Sequence, residues 1–178
     1  VTPVLIDDLV AAAKRGDQAS QRQLYEEHRT QVFGLMVRIV GAEDAADLTQ
    51  QVFLRVLRTI GKFSGRSQLR TWVYRVAVNE ALQHLRRKGR AKVHTLEQDV
   101  VDRSPPRTQQ SEEAELLEEA LARLDSDLRA LFLLREVEGL AYHDIALALD
   151  IAEGTVGSRL NRARRLLRQH LIELGWQP

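Results

Sequence analysis

The 178-residue chain contains no cysteine, so disulfides and thiolate metal sites are excluded. Aromatic residues make up only 5%, and there are four prolines and one methionine. No run approaches the roughly 18 consecutive apolar residues of a membrane span. Asp7 and Asp8 interrupt the first apolar stretch and no basic segment precedes it, so no signal peptide is expected. A soluble cytoplasmic protein with no membrane insertion of its own is the expectation. Strand-like alternation is missing too. Five histidines are scattered at positions 28, 84, 94, 143 and 170, without a His-x-x-x-His pair, and no glycine-rich phosphate loop occurs. No catalytic residue, metal ligand or cofactor is expected. Paired acids such as Asp44 and Asp47 at a helix start are caps or a binding surface before they are an acid–base pair.

What is present is helix and charge. The formal net charge is only +1, but it is unevenly spread. Lys62 to Lys92 holds nine Lys/Arg and one acid, Glu80. Glu153 to His170 holds five Arg and one acid. Between Glu97 and Glu119 lie eight acids and two Arg. Two basic blocks around an acidic stretch suit a chain that touches a polyanion at two places.

Nearly every apolar pattern has the helical period. Leu5 to Lys14 reads as a short helix ended by Gly16, with Asp17 capping the next. Leu24, Val32, Leu35, Met36 and Ile39 form the stripe of that second helix, ended by Gly41. A third runs from about Glu43 to Ile60, with Leu48, Val52, Phe53, Val56 and Leu57 on its apolar side. Its acids Glu43, Asp44 and Asp47 suit the first turns. A fourth follows the loop 63–67, carries Leu69, Trp72, Val73, Val76, Ala77 and Leu85, and is expected to fray at Lys88–Gly89. Residues 89–113 break the pattern with Ser104-Pro105-Pro106 and polar runs, a stretch of 25 residues reaching at most ~80 Å. Helices are then expected at 112–123, 127–137, 142–149 and 153–174. The fold class is all-α: two small helical domains joined by a flexible acidic linker, divided as residues 1–90, 91–112 and 113–178.

Residues 142–160 form the sharpest local signal, a helix-turn-helix. Ile145, Ala146 and Leu149 pack the first helix, and small Ala146 allows close approach. Asp150 stands at the turn, where a left-handed backbone is needed. Val156, Leu160, Ala163 and Leu167, spaced by four, three and four, bury the second helix. That leaves an outer face with Ser158, Asn161, Arg162, Arg165 and Arg168. An apolar seam with a basic outer face is what a recognition helix in the major groove requires. Arg and Asn read base edges, while hydroxyls and further Arg hold phosphates. Upstream, Trp72 and Tyr74 lie among Arg66, Arg70 and Arg75, a mixture suited to stacking and phosphate contact with a single strand. An indole at that position packs first, and it can still frame a strand-binding surface.

At this point the chain resembles the extracytoplasmic-function group of the sigma-70 family of bacterial RNA polymerase sigma factors. Three segments carry the resemblance: 44–56 (DAADLTQQVFLRV), 63–65 with 69–79 (FSG, LRTWVYRVAVN), and 139–146 with 153–167 (GLAYHDIA, EGTVGSRLNRARRLL). Residues 1–90 are then similar to sigma region 2, and 113–178 to sigma region 4. The resemblance implies a non-catalytic specificity subunit that binds core RNA polymerase, reads −35 and −10 promoter elements and helps melt the promoter. It implies contacts with the clamp of the largest polymerase subunit through Asp44, Asp47, Gln50, Gln51, Phe53 and Leu54. It implies −10 contacts by Lys62, Arg66, Ser67, Arg70, Trp72, Arg75, Asn79, Arg86 and Arg87. It implies −35 contacts by Thr155, Ser158, Arg159, Asn161, Arg162 and Arg165. Partners would be promoter DNA, the polymerase clamp, the flap of the second-largest subunit, and an anti-sigma factor.

The chain departs from the family pattern in places. Gly157 stands where a Lys or Arg is usual, Gln51 replaces a common acid, and Ala141 and Ala152 stand where hydroxyl residues usually cap the last two helices. A helix-turn-helix regulator acting without polymerase would explain residues 139–172 alone and leave the upstream segments without a purpose. A pure adaptor would leave the basic recognition helix without one.

Overall fold

The computed structural model describes residues 6–94 and 112–177. The expected acidic linker, 91–112, falls largely outside these residues. The N-terminal half comprises α1 (Ile6–Lys14), α2 (Gln18–Val40), α3 (Ala42–Thr59), a 3-10 turn (Ile60–Lys62) and α4 (Leu69–His94). The C-terminal half comprises α5 (Glu112–Ala122), α6 (Ser126–Glu136), α7 (Tyr142–Leu149) and α8 (Glu153–Glu173).

Local chemistry fixes most boundaries. Asp17 caps α2, its carboxylate accepting from the backbone N–H of Ser20 at 2.8 Å. Gly41 alone separates α2 from α3, at φ +94°, a conformation that strains any residue with a Cβ. Asp125 caps α6 by accepting from Asp127 N–H at 3.0 Å. Helix α4 does not fray at Lys88–Gly89 but continues to His94. One glycine costs a helix interior about 1 kcal/mol. Good helix formers flank it, Lys88 is tied to α3, and Arg90 donates to the Arg86 carbonyl at 3.3 Å.

The three long N-terminal helices close on one apolar core. Leu24, Leu35, Met36 and Ile39 of α2 meet Leu48, Val52, Phe53 and Val56 of α3, and Val73, Tyr74, Ala77, Val78 and Ala81 of α4. In the C-terminal half, Leu131, Leu133 and Leu134 of α6 pack with Ile145 and Ala146 of α7 and Val156, Leu160 and Leu167 of α8. These two sets are continuous: the buried residues of both halves belong to one cluster. Helix α7 lies against α4, and α6 against α2 and α4.

Polar contacts line that seam. The Tyr74 hydroxyl donates to the Glu138 carboxylate, and Arg70 Nη2 donates to the same carboxylate at 3.1 Å and to the Glu138 carbonyl at 2.7 Å. Gly139, at φ +68°, makes the turn that aims Glu138 back at α4. Burial, reinforced by the Glu138 carboxylate, pushes the Tyr74 phenol up to about 12, so it remains a donor. Arg129 Nη1 donates to the Ile39 carbonyl at 3.1 Å, satisfying an orphan acceptor at the C-terminus of α2.

Neither Ala141 nor Ala152 makes a side-chain cap bond to α7 or α8. Ala141→Ser and Ala152→Ser should therefore each raise stability by about 0.5–1 kcal/mol. Urea unfolding of the single variants should show a higher midpoint at unchanged slope. An unmoved midpoint would mean the first-turn N–H groups gain nothing from a hydroxyl.

Candidate nucleic-acid interface

The loop between the 3-10 turn and α4 is pinned at its base. Lys14 Nζ donates to the Phe63 carbonyl at 2.7 Å, and the Phe63 ring lies 5.7 Å from Trp72, tilted by 58°. Half-buried Trp72 then stands between two adjoining cavities. One, of about 340 Å³, is lined by Arg55, Thr59, Lys62, Trp72, Arg75, Val76, Asn79 and Gln83. The other, of about 250 Å³, is lined by Lys62, Phe63, Ser64, Arg66, Ser67, Trp72, Arg75 and Leu147. Both contain Lys62, Trp72 and Arg75. An aromatic face flanked by cations is the arrangement a single strand needs, with bases stacking and phosphates meeting positive charge.

Of the nine residues expected to contact the −10 element, six are therefore gathered around these cavities: Lys62, Arg66, Ser67, Trp72, Arg75 and Asn79. The other three are not. Arg70 points to Glu138, Arg86 lies 3.6 Å from Asp127, and Arg87 donates to Gln83 at 3.4 Å. Sequence reasoning missed Arg55, Thr59 and Gln83. A helical signal was available: Arg75, Asn79 and Gln83 step by four along α4, as do Arg55 and Thr59 along α3. Arg55 also pairs at 2.6 Å with Glu80, whose side chain is 8% exposed.

The expected clamp-binding residues divide. Asp47, Gln50, Gln51 and Leu54 are exposed on α3, Leu54 at 55%. Phe53 is 3% exposed and packs edge-on against Tyr25, with centroids 4.8 Å apart. Its ring holds α3 in the core and offers no face to another protein. Asp44 accepts from Lys88 Nζ at 2.7 Å and lies 3.1 Å from His84 Nε2, clipping α3 to α4. The Lys88 ammonium holds the Asp44 carboxyl below its ordinary value of 3.8, burial opposes this, and His84 adds to the lowering.

In the helix-turn-helix, Asp150 adopts φ 55°, ψ 49°, the left-handed turn expected of it. Val156, Leu160, Ala163 and Leu167 are buried as their spacing requires. Ser158, Asn161, Arg162 and Arg165 are exposed, with Thr155 and Arg159 half-buried beside them. The Ser158 hydroxyl donates to the Thr155 carbonyl at 3.0 Å. Arg164 is taken up by Glu136 at 2.6 Å, whereas Arg162 and Arg165 form no ion pair among the described residues. Gly157 faces α7, where an added Cβ would sit 3.6 Å from the Tyr142 ring, an ordinary contact.

Comparison with known proteins decides what carries these surfaces. Residues 24–91 match the family model of sigma-70 region 2, and residues 114–167 that of sigma-70 region 4. The chain is 35% identical to the RNA polymerase sigma-H factor of Pseudomonas aeruginosa, covering 93% of each. It is 32% identical to the ECF RNA polymerase sigma-E factor of Haemophilus influenzae, covering 93% of this chain and 95% of that one. The chain belongs to the extracytoplasmic-function group of the sigma-70 family. Among solved structures it resembles the sigma factor RpoE of Bartonella quintana, crystallised with the anti-sigma factor NepR. The TM-score is 0.72 at 24% identity, over 87% of this chain and 98% of that one.

Within this sigma factor the larger Trp72 cavity falls in the region 2 match, the smaller is walled by region 2 residues and by Leu147 of the region 4 match, and the helix-turn-helix falls in the region 4 match. No helix among the described residues is long and apolar enough to cross a membrane.

The Asp44 clip has a pH signature. A carboxyl whose folded pKa lies below its unfolded one stabilises the fold above the unfolded value, and that share is lost as pH falls through the folded value. Asp44→Asn should thus destabilise at neutral pH and differ less from the parent chain as pH drops below 3.8. Chemical unfolding across that range checks it; a difference that is constant with pH would make the clip a neutral hydrogen bond only.

Proposed function

We propose that this sigma factor binds core RNA polymerase, directs it to promoters by recognising −35 and −10 elements, and assists their melting, with no catalytic step of its own. The observation that carries the reading is the presence, on one chain, of the Trp72–Arg75 cavities and a helix-turn-helix whose Arg162 and Arg165 form no ion pair among the described residues. The exposed face of α3, with Asp47, Gln50, Gln51 and Leu54, is the surface for the polymerase clamp. Polar anchors around an apolar patch are what a helical partner can bury. Region 4 would meet the flap of the second-largest subunit, and an anti-sigma factor would hold the protein inactive in the cytoplasm.

Lys62, Arg66, Ser67, Trp72, Arg75 and Asn79 would receive the displaced non-template strand at the −10 element, with Asn79 and Ser67 near an unstacked base. Arg70, Arg86 and Arg87 would join only when freed from their present partners. At the −35 element, Ser158 and Asn161 would approach base edges, while Arg159, Arg162, Arg165 and Thr155 hold phosphates. Gly157 contributes no side chain, which leaves more of the discrimination to its neighbours.

Two variants separate the elements. Unstacking a base costs a few kcal/mol in duplex DNA and much less in a preformed bubble. Asn79→Ala should therefore impair transcription from closed duplex more than from a premelted template. Arg162→Ala should weaken both alike and lower the log–log salt slope of holoenzyme binding by about one unit or less. Transcription on both templates, with permanganate footprinting of the bubble, checks this. Equal losses for Asn79→Ala on the two templates with a normal bubble would remove it from strand capture. An unchanged slope and activity for Arg162→Ala would place the docking face elsewhere.

A further inference from the structure

Three cations line the larger cavity, Arg55, Lys62 and Arg75, and no acid does. One acid nevertheless sits against it. Glu80 follows Asn79 directly on α4, its side chain is only 8% exposed, and its Oε1 lies 2.6 Å from Arg55 Nη1. That oxygen is buried and accepts no well-aligned hydrogen bond, so charge is what holds the two groups together. The Arg55 side chain, by contrast, is 55% exposed. Lys62 and Arg75 form no ion pair among the described residues, so of the three cations Arg55 alone is given an acid.

An acid at this place is unfavourable on two counts. Burial strips water from the carboxylate, and its charge opposes the phosphates that the cavity would receive. Joining α3 to α4 does not require it. Leu48, Val52 and Val56 already seat α3 in the core, and Asp44 ties it to Lys88 and His84 of α4. What Glu80 adds is direction. An arginine as exposed as Arg55 samples many rotamers, and a ligand that fixes it must meet the lost freedom. With one arm of the guanidinium drawn to Glu80, the planar fork is set at the cavity before a ligand arrives.

We propose that Glu80 is a positioning residue and Arg55 a further strand-binding residue: the buried carboxylate holds the Arg55 guanidinium at the larger cavity, where it grips a phosphate of the strand. This rests on the reading of the α4 cavities as the strand site. The sign of one substitution separates positioning from charge. Glu80→Gln keeps the shape and removes a negative charge beside the site. By Coulomb attraction alone it would tighten binding of a polyanion and steepen its salt dependence. If Glu80 aims Arg55, the same change releases the guanidinium, and binding weakens although the chain has become more positive.

The test uses the full chain assembled with core polymerase, and a pool of short random-sequence single strands as the probe, with binding by core alone subtracted. Glu80→Gln should weaken binding roughly three- to tenfold, the share of one charge-assisted contact. It should also lower the log–log salt slope by about 0.7 or less, the single-strand value for one phosphate. In an Arg55→Met background Glu80→Gln should cause no further loss, because the two residues act as a unit. Glu80→Asp keeps the charge but draws the carboxylate back by one methylene, and should also weaken binding. It supplies the reading if the glutamine variant fails to assemble. Arg75→Ala removes a cation of the same cavity and checks the strand assignment; it should weaken binding by itself. Tighter binding or a steeper slope in Glu80→Gln, or an equal loss with and without Arg55, overturns the positioning role. Unchanged binding in Glu80→Gln and Glu80→Asp while Arg75→Ala weakens it overturns that role and leaves the strand site standing. Unchanged binding in Arg75→Ala overturns the strand assignment, and the proposal with it.

Discussion

Helix α4 has to bury one face, line the Trp72 cavities with a second and lend a third to the C-terminal half, and the remaining elements are arranged around those demands. At 100° per residue a helix can do this only if the three sets of side chains keep separate registers. Val73, Ala77 and Ala81, stepping by four, go into the core against α2 and α3. Trp72, Val76 and Asn79, with Gln83 beyond them, line the larger cavity. Arg70 and Tyr74, again four apart, meet Glu138. Trp72 belongs to two roles: its ring packs on Phe63 and walls both cavities. Deleting it would disturb loop and site together.

The seam between the halves combines two kinds of interaction with different consequences. Apolar contact supplies the non-directional attraction, in proportion to area removed from water. Directional polar contacts choose the register: Glu138 on Tyr74 and Arg70, and Arg129 on the carbonyl of Ile39. Each polar group has an alternative partner in water, so the seam can open without leaving orphaned donors. Within each half the bonds are of another kind. Asp44 with Lys88 and His84, and Arg55 with Glu80, fasten α3 to α4 and need never part. A chain of net charge +1 thus keeps its cations locally useful by pairing some internally, while Arg162 and Arg165 form no ion pair among the described residues.

Features governed by neighbours in sequence were legible in it. The cap at Asp17, the left-handed turn at Asp150, the buried seam of α8 and the missing caps at Ala141 and Ala152 all follow from residue type and spacing. Features governed by distant partners were not. Periodicity places Phe53 on the apolar side of α3 but does not show that Tyr25 closes over it. An acid in a first turn reads as a cap or a surface, and only the fold brings Lys88 to Asp44, 44 residues away. Gly89 looked like an end because its own cost is local, whereas the support for α4 beyond it comes partly from α3. Aromatic and Arg residues along α4 point to the larger cavity's lining, but Arg55 and Thr59 reach it from a different helix. The contact between halves left no trace in either half's pattern, because Glu138 is one acid in a turn until Tyr74 and Arg70 are placed beside it.

The central claim is that α4 packs against the C-terminal half as well as the N-terminal core, so the free chain is one packed body. Small-angle X-ray scattering of the free, unmodified chain at low concentration measures this directly. A single packed body of 178 residues has a radius of gyration of roughly 16 Å. The account predicts a value close to that for the free chain and a compact, bell-shaped Kratky profile. A markedly larger radius, with the profile of two bodies moving on a tether, would contradict it.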